Sequence, residues 1–179
     1  MQEDVNIFYN ITYGELLQAQ VIEQIRLFLE EDPEALYSLV IGTDSQEKTN
    51  GDASKKHIDL ITAVVVHRKG FGGRYFWQRK NSVVIHTLRE KIYAETLTSL
   101  DFAKFFIPLL KKALNGKSPN YRLEIHVDVG EHGETREMIK EIVGMVNGNG
   151  YVAKTKPEAY GATYVADKHT LFYNRKTIG

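Results

Sequence analysis

Tyr37-Ser38-Leu39-Val40-Ile41-Gly42-Thr43-Asp44-Ser45-Gln46 is an apolar run that closes on a carboxylate. A segment carrying Leu39, Val40 and Ile41 in succession belongs inside a sheet, so its last residues emerge at the sheet edge beside neighbouring strand ends. That puts Asp44 at the mouth of the predicted first strand, where a second acidic strand end, His126-Val127-Asp128-Val129-Gly130, can meet it. Two carboxylates in one place repel each other unless a proton or a divalent cation lies between them. The competing reading is that Asp44 caps a turn, since Asp before Ser is common turn chemistry.

The surrounding chain limits the choices. Its 179 residues suit one domain with a full core. The sequence predicts a helical extension over 1–36 packed on a domain over 37–179. An apolar content of 42% with 26% charged residues is that of a soluble globular protein. No run approaches the roughly 18 apolar residues of a membrane span, and the polar start Met1-Gln2-Glu3-Asp4 is unlike a signal peptide. The absence of cysteine excludes disulfide and thiolate chemistry and fits the cytoplasm. The 23 basic and 23 acidic residues cancel, so nucleic acid would be held by a local footprint rather than by the whole surface.

Thr12-Tyr13-Gly14-Glu15 has capping-box spacing and predicts a helix carrying Leu16, Leu17, Ile22, Ile25 and Leu29, stopped by Asp32-Pro33. Strands are predicted up to Asp44, over Ile58–Arg68 and over Arg74–Val84, the last two joined by Gly70-Phe71-Gly72-Gly73. A long helix follows from about His86 to Leu114, with Pro108 expected to bend or divide it. A strand over Tyr121–Val129, a helix over Glu134–Val146, a short strand over Tyr151–Thr155 and a helix over Tyr160–Tyr173 complete the chain. Apart from the first helix, the order is an antiparallel meander followed by crossover units.

The long helix places a further acid. At 100° per residue Leu88, Ile92, Glu95, Ser99, Ala103, Phe106, Leu110 and Ala113 share one narrow stripe, the face expected to pack on the sheet. A core-facing carboxylate is costly unless it is paired or metal-bound, so Glu95 is either half of a buried ion pair or a ligand. Glu90 falls on the solvated face with Asp101, Lys104 and Lys112. Asp128 is followed by Gly130-Glu131-His132-Gly133 and a helix, so it reads as a site residue or as an acid of the helix-leading loop. Gly130 and Gly133 would leave backbone N–H groups open to a phosphate. Asp167, within Tyr164-Val165-Ala166-Asp167-Lys168-His169, is the fourth candidate; the alternative is a surface pair with Lys168 or Arg175.

Ile41-Gly42-Thr43-Asp44-Ser45-Gln46, Tyr93-Ala94-Glu95-Thr96, and His126-Val127-Asp128-Val129-Gly130 with Gly133-Glu134-Thr135-Arg136 resemble the YkuK-type proteins of the ribonuclease H-like superfamily, over about residues 37–175. The resemblance implies an α/β fold with a five-stranded mixed sheet, the hairpin meander on one side and parallel strands on the other. It also implies a metal site at Asp44, Glu95 and Asp128, with Asp167 as the fourth acid. Two Mg²⁺ or Mn²⁺ ions roughly 4 Å apart would there ionise a water and stabilise the leaving oxygen of a phosphodiester. Two features depart from the pattern: Asp128 lacks the Thr-Asp-Ser setting of true ribonuclease H, and no histidine stands a loop's length before Asp167. A doubly wound nucleotide-binding fold is the alternative; it would carry a phosphate loop after the first strand, where Thr43-Asp44-Ser45 stands instead.

His67 to Lys80 adds five basic residues (Arg68, Lys69, Arg74, Arg79 and Lys80), no acid, and aromatics including Trp77. Cations can track phosphates while aromatics stack on bases, although a half-buried strand with a charged outer face has the same composition. Lys154, Lys156, Lys168, Arg175 and Lys176 form a second basic group. Three functions follow: a metal-dependent nuclease for RNA, RNA–DNA hybrid or structured DNA; a non-catalytic nucleic-acid-binding scaffold; and a nucleotide phosphatase or ATP-binding protein.

Overall fold

β-branched and aromatic residues crowd positions 37–85, and there the chain forms three long antiparallel strands: β3 (Tyr37–Lys48), β4 (Lys56–Arg68) and β5 (Gly72–Ile85). The structure is a computed structural model that describes residues 6–48, 56–117, 119–131 and 135–159. β1 (Ile7–Asn10) and β2 (Gly14–Leu17) precede helix α1 (Gln18–Glu30); α2 (Leu88–Leu114), β6 (Tyr121–His126), a 3₁₀ turn (Arg136–Met138), α3 (Ile139–Gly148) and β7 (Val152–Lys154) follow the meander. The predicted helix over Tyr160–Tyr173 lies outside the described residues.

The sheet runs β2-β1-β5-β4-β3-β6-β7. β6 pairs parallel with β3 and β7 parallel with β6; the other pairings are antiparallel. With most of its pairings antiparallel, this sheet rules out the doubly wound alternative, whose sheet is mostly parallel. The five expected strands are present, but the sheet has seven, because residues 7–17 form a hairpin where a helix start was expected. The Asn10 side chain accepts the N–H groups of Thr12 (2.7 Å) and Tyr13 (3.0 Å), closing a turn across the apparent capping box. Gly14 takes φ +71° in that turn, a conformation closed to most side chains. The helix starts instead at Gln18, where Gln20 Oε1 accepts the Leu17 N–H at 2.7 Å.

The main core joins Phe8, Ile25 and Leu29 to Leu39 and Ile41 of β3, Phe106 and Leu110 of α2, Ile125 of β6 and Ile142 of α3. The helices of the described residues therefore cover one face of the sheet. A smaller cluster of Val40, Ile61 and Ala63, with Val65 and Trp77 against it, marks the other face. Pro108 does not divide α2, which runs unbroken for 27 residues. Pro108 and Lys104 are both exposed, so the carbonyl that loses its helical donor faces water. Leu88, expected in the core stripe, is 39% exposed, because it stands in the first turn before α2 meets the sheet. No helix among the described residues is long and apolar enough to cross a membrane.

Candidate functional site

Glu95 is 2% exposed and lies on the sheet-facing side of α2. A hydroxyl ladder seats that helix on β3: Ser99 Oγ donates to Thr43 Oγ1 at 2.8 Å, and Thr43 and Thr62 hydroxyls meet at 2.9 Å. One turn away, Ser45 Oγ donates to Glu95 Oε1 at 2.6 Å. The register of β3 on β4 is unbroken, so alternation aims Thr43 and Ser45 together at α2. Glu90, by contrast, is exposed and accepts the His86 N–H at 2.6 Å while its own N–H goes to Thr87 Oγ1, which caps the helix.

Glu95 has a hydroxyl donor but no bonded cation; the Lys91 ammonium stands at 3.7 Å. Burial pushes its carboxyl up to about 7 against the pull of Ser45 and Lys91, and the charges of Asp44 and Asp128 raise it further. Those two acids come from neighbouring parallel strands. The last register pair of β3 and β6 is Gly42 with His126, and Asp44 and Asp128 follow two residues on in each chain segment. Asp44 is thus inside β3 rather than at its end, because β4 keeps pairing with β3 as far as Lys48. Alternation sets Asp44 on the face opposite Ser45. Asp128 is one-third exposed, with Lys156 Nζ 2.5 Å from its Oδ1. Among the described residues, no group of three or more His, Cys, Asp or Glu side chains is gathered closely enough to hold a metal ion.

The chain matches the family model described as ribonuclease H-like over residues 20–171. It is also 34% identical, over 178 residues, to the uncharacterized protein YkuK of Bacillus subtilis (strain 168), covering 93% of this chain and 98% of that one. The chain belongs to the ribonuclease H-like family. No solved structure shows a significant match.

Of the acids that this family resemblance points to, Asp44 and Asp128 are each within electrostatic reach of Glu95. Asp167 lies outside the described residues. The carboxylate donors, with no cysteine in the chain, fit a hard cation such as Mg²⁺ or Mn²⁺. The ammonium groups beside Glu95 and Asp128 mark both as places where positive charge is welcome.

The basic stripe is arranged differently from its sequence expectation. Each of its arginines meets a carboxylate: Arg68 pairs with Asp32, Arg74 with Glu31 at 2.7 Å, and Arg79 with Asp59. Arg68 also lies over the Phe71 ring and Arg74 over Phe28. These contacts tie the meander together and to the end of α1. Lys69 and Lys80 remain exposed, and half-buried Trp77 sits between Tyr9 (5.8 Å) and Tyr75 (6.0 Å). In the loop after Asp128, the Gly130 N–H goes to Thr135 Oγ1 at 3.2 Å, so it does not point to a phosphate; Gly133 lies outside the described residues. An open cleft of about 420 Å³ beyond it is lined by Glu131, Arg136, Ile139 and Lys140.

In the sequence Ser45 and His126 stand only as members of motifs and Lys156 only as a member of the second basic group, with no role of their own. Ser45 could have been found from the period of two that links it to Thr43. His126 is buried and meets Glu124 Oε2 at 3.2 Å; burial lowers its imidazole below the ordinary value against the pull of Glu124. Lys154 pairs with Glu158, and Lys168, Arg175 and Lys176 lie outside the described residues.

Proposed function

We propose that this chain is a divalent-cation-dependent nuclease that hydrolyses phosphodiester bonds of RNA, RNA–DNA hybrid or structured DNA. The observation that carries this reading is Glu95, a buried acid with a close hydroxyl donor, a cation no nearer than the Lys91 ammonium at 3.7 Å, and two further acids close enough to raise it. A fold without use for that acid would fill its position with an apolar residue at less cost. Asp44, Glu95 and Asp128 would hold Mg²⁺ or Mn²⁺, with Asp167 as the fourth acid. Such cations supply Lewis-acid charge to a phosphodiester and to the water that attacks it.

The chain's own groups have distinct tasks. Ser45 fixes the orientation of the Glu95 carboxyl, and the surrounding core keeps water from competing for it. Burial pushes the Glu95 carboxyl up to about 7, and its proton must leave before the group can act as a ligand. Activity therefore rises with pH through this range. Lys69, Lys80 and the Tyr9–Trp77–Tyr75 aromatics would contact the strand being cut.

A non-catalytic nucleic-acid-binding scaffold is the second reading. It is favoured by the loose spacing of the three described acids and by the pairing of every arginine in the basic stripe. A panel of labelled single-stranded RNA, hybrid, duplex DNA and branched DNA, with Mg²⁺ or Mn²⁺, separates the two. Cleavage abolished by Asp44→Asn and by Glu95→Gln supports the nuclease. Binding without cleavage, indifferent to chelator, supports the scaffold, and cleavage that survives both substitutions excludes this site.

A further inference from the structure

Lys156 is held against Asp128 by its backbone as well as by its charge. Its N–H donates to the Val129 carbonyl at 2.8 Å, and the Val127 N–H donates to the Lys154 carbonyl at 2.9 Å. Residues 154–156 thus continue beside 127–129 after the β6–β7 pairing ends at His126 and Lys154. Gly130 leaves room for the lysine stem: a Cβ there would stand 3.3 Å from Lys156 Cβ. From this seat the ammonium reaches Asp128 Oδ1, while the Lys156 side chain keeps 58% of its surface in solvent.

This pair differs from the ion pairs that brace the fold. Asp59 is 1% exposed and is bound by Lys48 at 2.8 Å and by Arg79, so nothing can enter. Asp128 is 35% exposed and faces a flexible point charge, which a smaller and doubly charged ion can replace without moving the backbone. Lys154 is already engaged by Glu158 and does not serve Asp128.

We propose that Lys156 is the built-in counter-ion of Asp128, occupying the cation's place on that carboxylate until a divalent ion displaces it. The proposal rests on the metal-centre reading of Asp44, Glu95 and Asp128, and makes Lys156 a residue that sets the cation concentration at which the site fills. An exposed pair of this kind weakens a competing cation by about two- to fivefold.

Mn²⁺ binding to the full chain, measured by titration calorimetry, tests it with wild type, Lys156→Met, Lys156→Arg and Lys154→Met. Lys156→Met is expected to bind Mn²⁺ about two- to fivefold more tightly, whereas Lys156→Arg and Lys154→Met stay near wild type. Mg²⁺ titration should also move the side-chain NMR signal of Lys156. Equal affinity in Lys156→Met and wild type overturns the proposal, as does an equal gain in Lys154→Met, which would reflect net charge alone. Mn²⁺ binding weakened by Asp44→Asn but indifferent to Lys156→Met removes the proposal and leaves the metal centre. Absence of Mn²⁺ binding in wild type removes both.

Discussion

Asp59 and Glu95 are almost equally buried, at 1% and 2% exposure, and the fold treats them in opposite ways. Asp59, on the meander, is bound by two cations, Lys48 and Arg79. Glu95, on α2, has a serine hydroxyl, an ammonium at 3.7 Å, and two acids nearby. A buried charge that the chain neutralises by itself is part of the scaffold. One that is only loosely paired, by Lys91 at 3.7 Å, and is pushed toward its protonated form has room for a further cation.

The largest effect expected from this contrast is at Glu95. Its folded carboxyl titrates at about 7, against an ordinary value of 4.5. Between these values the folded state binds more protons than the unfolded one, so stability is full below pH 4.5 and falls as pH rises through 7. Without divalent cations, Glu95→Gln should match wild type near pH 4 and exceed it by about 3 kcal/mol at pH 8, measured by urea unfolding. A difference that does not change with pH would show that the Glu95 carboxyl is not raised by the fold.

Asp59→Asn should do the reverse. Removing a charge that two cations share costs about 2 kcal/mol, moderated because Lys48 and Arg79 both reach solvent. Metal should leave that loss unchanged. Ser45→Ala is the smallest step, costing about 1 kcal/mol as the hydrogen bond to Glu95 is lost. Its sharper signature is the titration: with that donor gone, the pH at which Glu95 ionises moves upward.

The sequence makes Glu95 legible because helical period is local: its stripe runs through Ile92, Ser99, Phe106 and Leu110, all buried in the structure. The β3–β4–β5 meander is equally readable from alternation and turn chemistry, whereas the parallel strands beside it are expected from the family resemblance. What escapes depends on distant partners. Arg68, Arg74 and Arg79 look like a phosphate track until Asp32, Glu31 and Asp59 arrive from 36, 43 and 20 residues away. The β1–β2 hairpin escapes because Thr12 and Glu15 imitate a capping box, while the Asn10 side chain takes the N–H groups that a helix would have left open. The extension of β3 beyond Asp44 depends on β4 continuing beside it, which no property of Ser45-Gln46-Glu47-Lys48 reveals.

The most direct measurement is urea unfolding at pH 8 with and without millimolar Mg²⁺, on wild type, Glu95→Gln, Asp44→Asn and Asp59→Asn. A cation that binds only the folded site adds to stability in proportion to the logarithm of its occupancy. The account predicts a gain for wild type that both substitutions abolish, while Asp59→Asn retains it. No gain in wild type, or the same gain in all four proteins, would contradict the claim that Glu95 is held for a divalent cation.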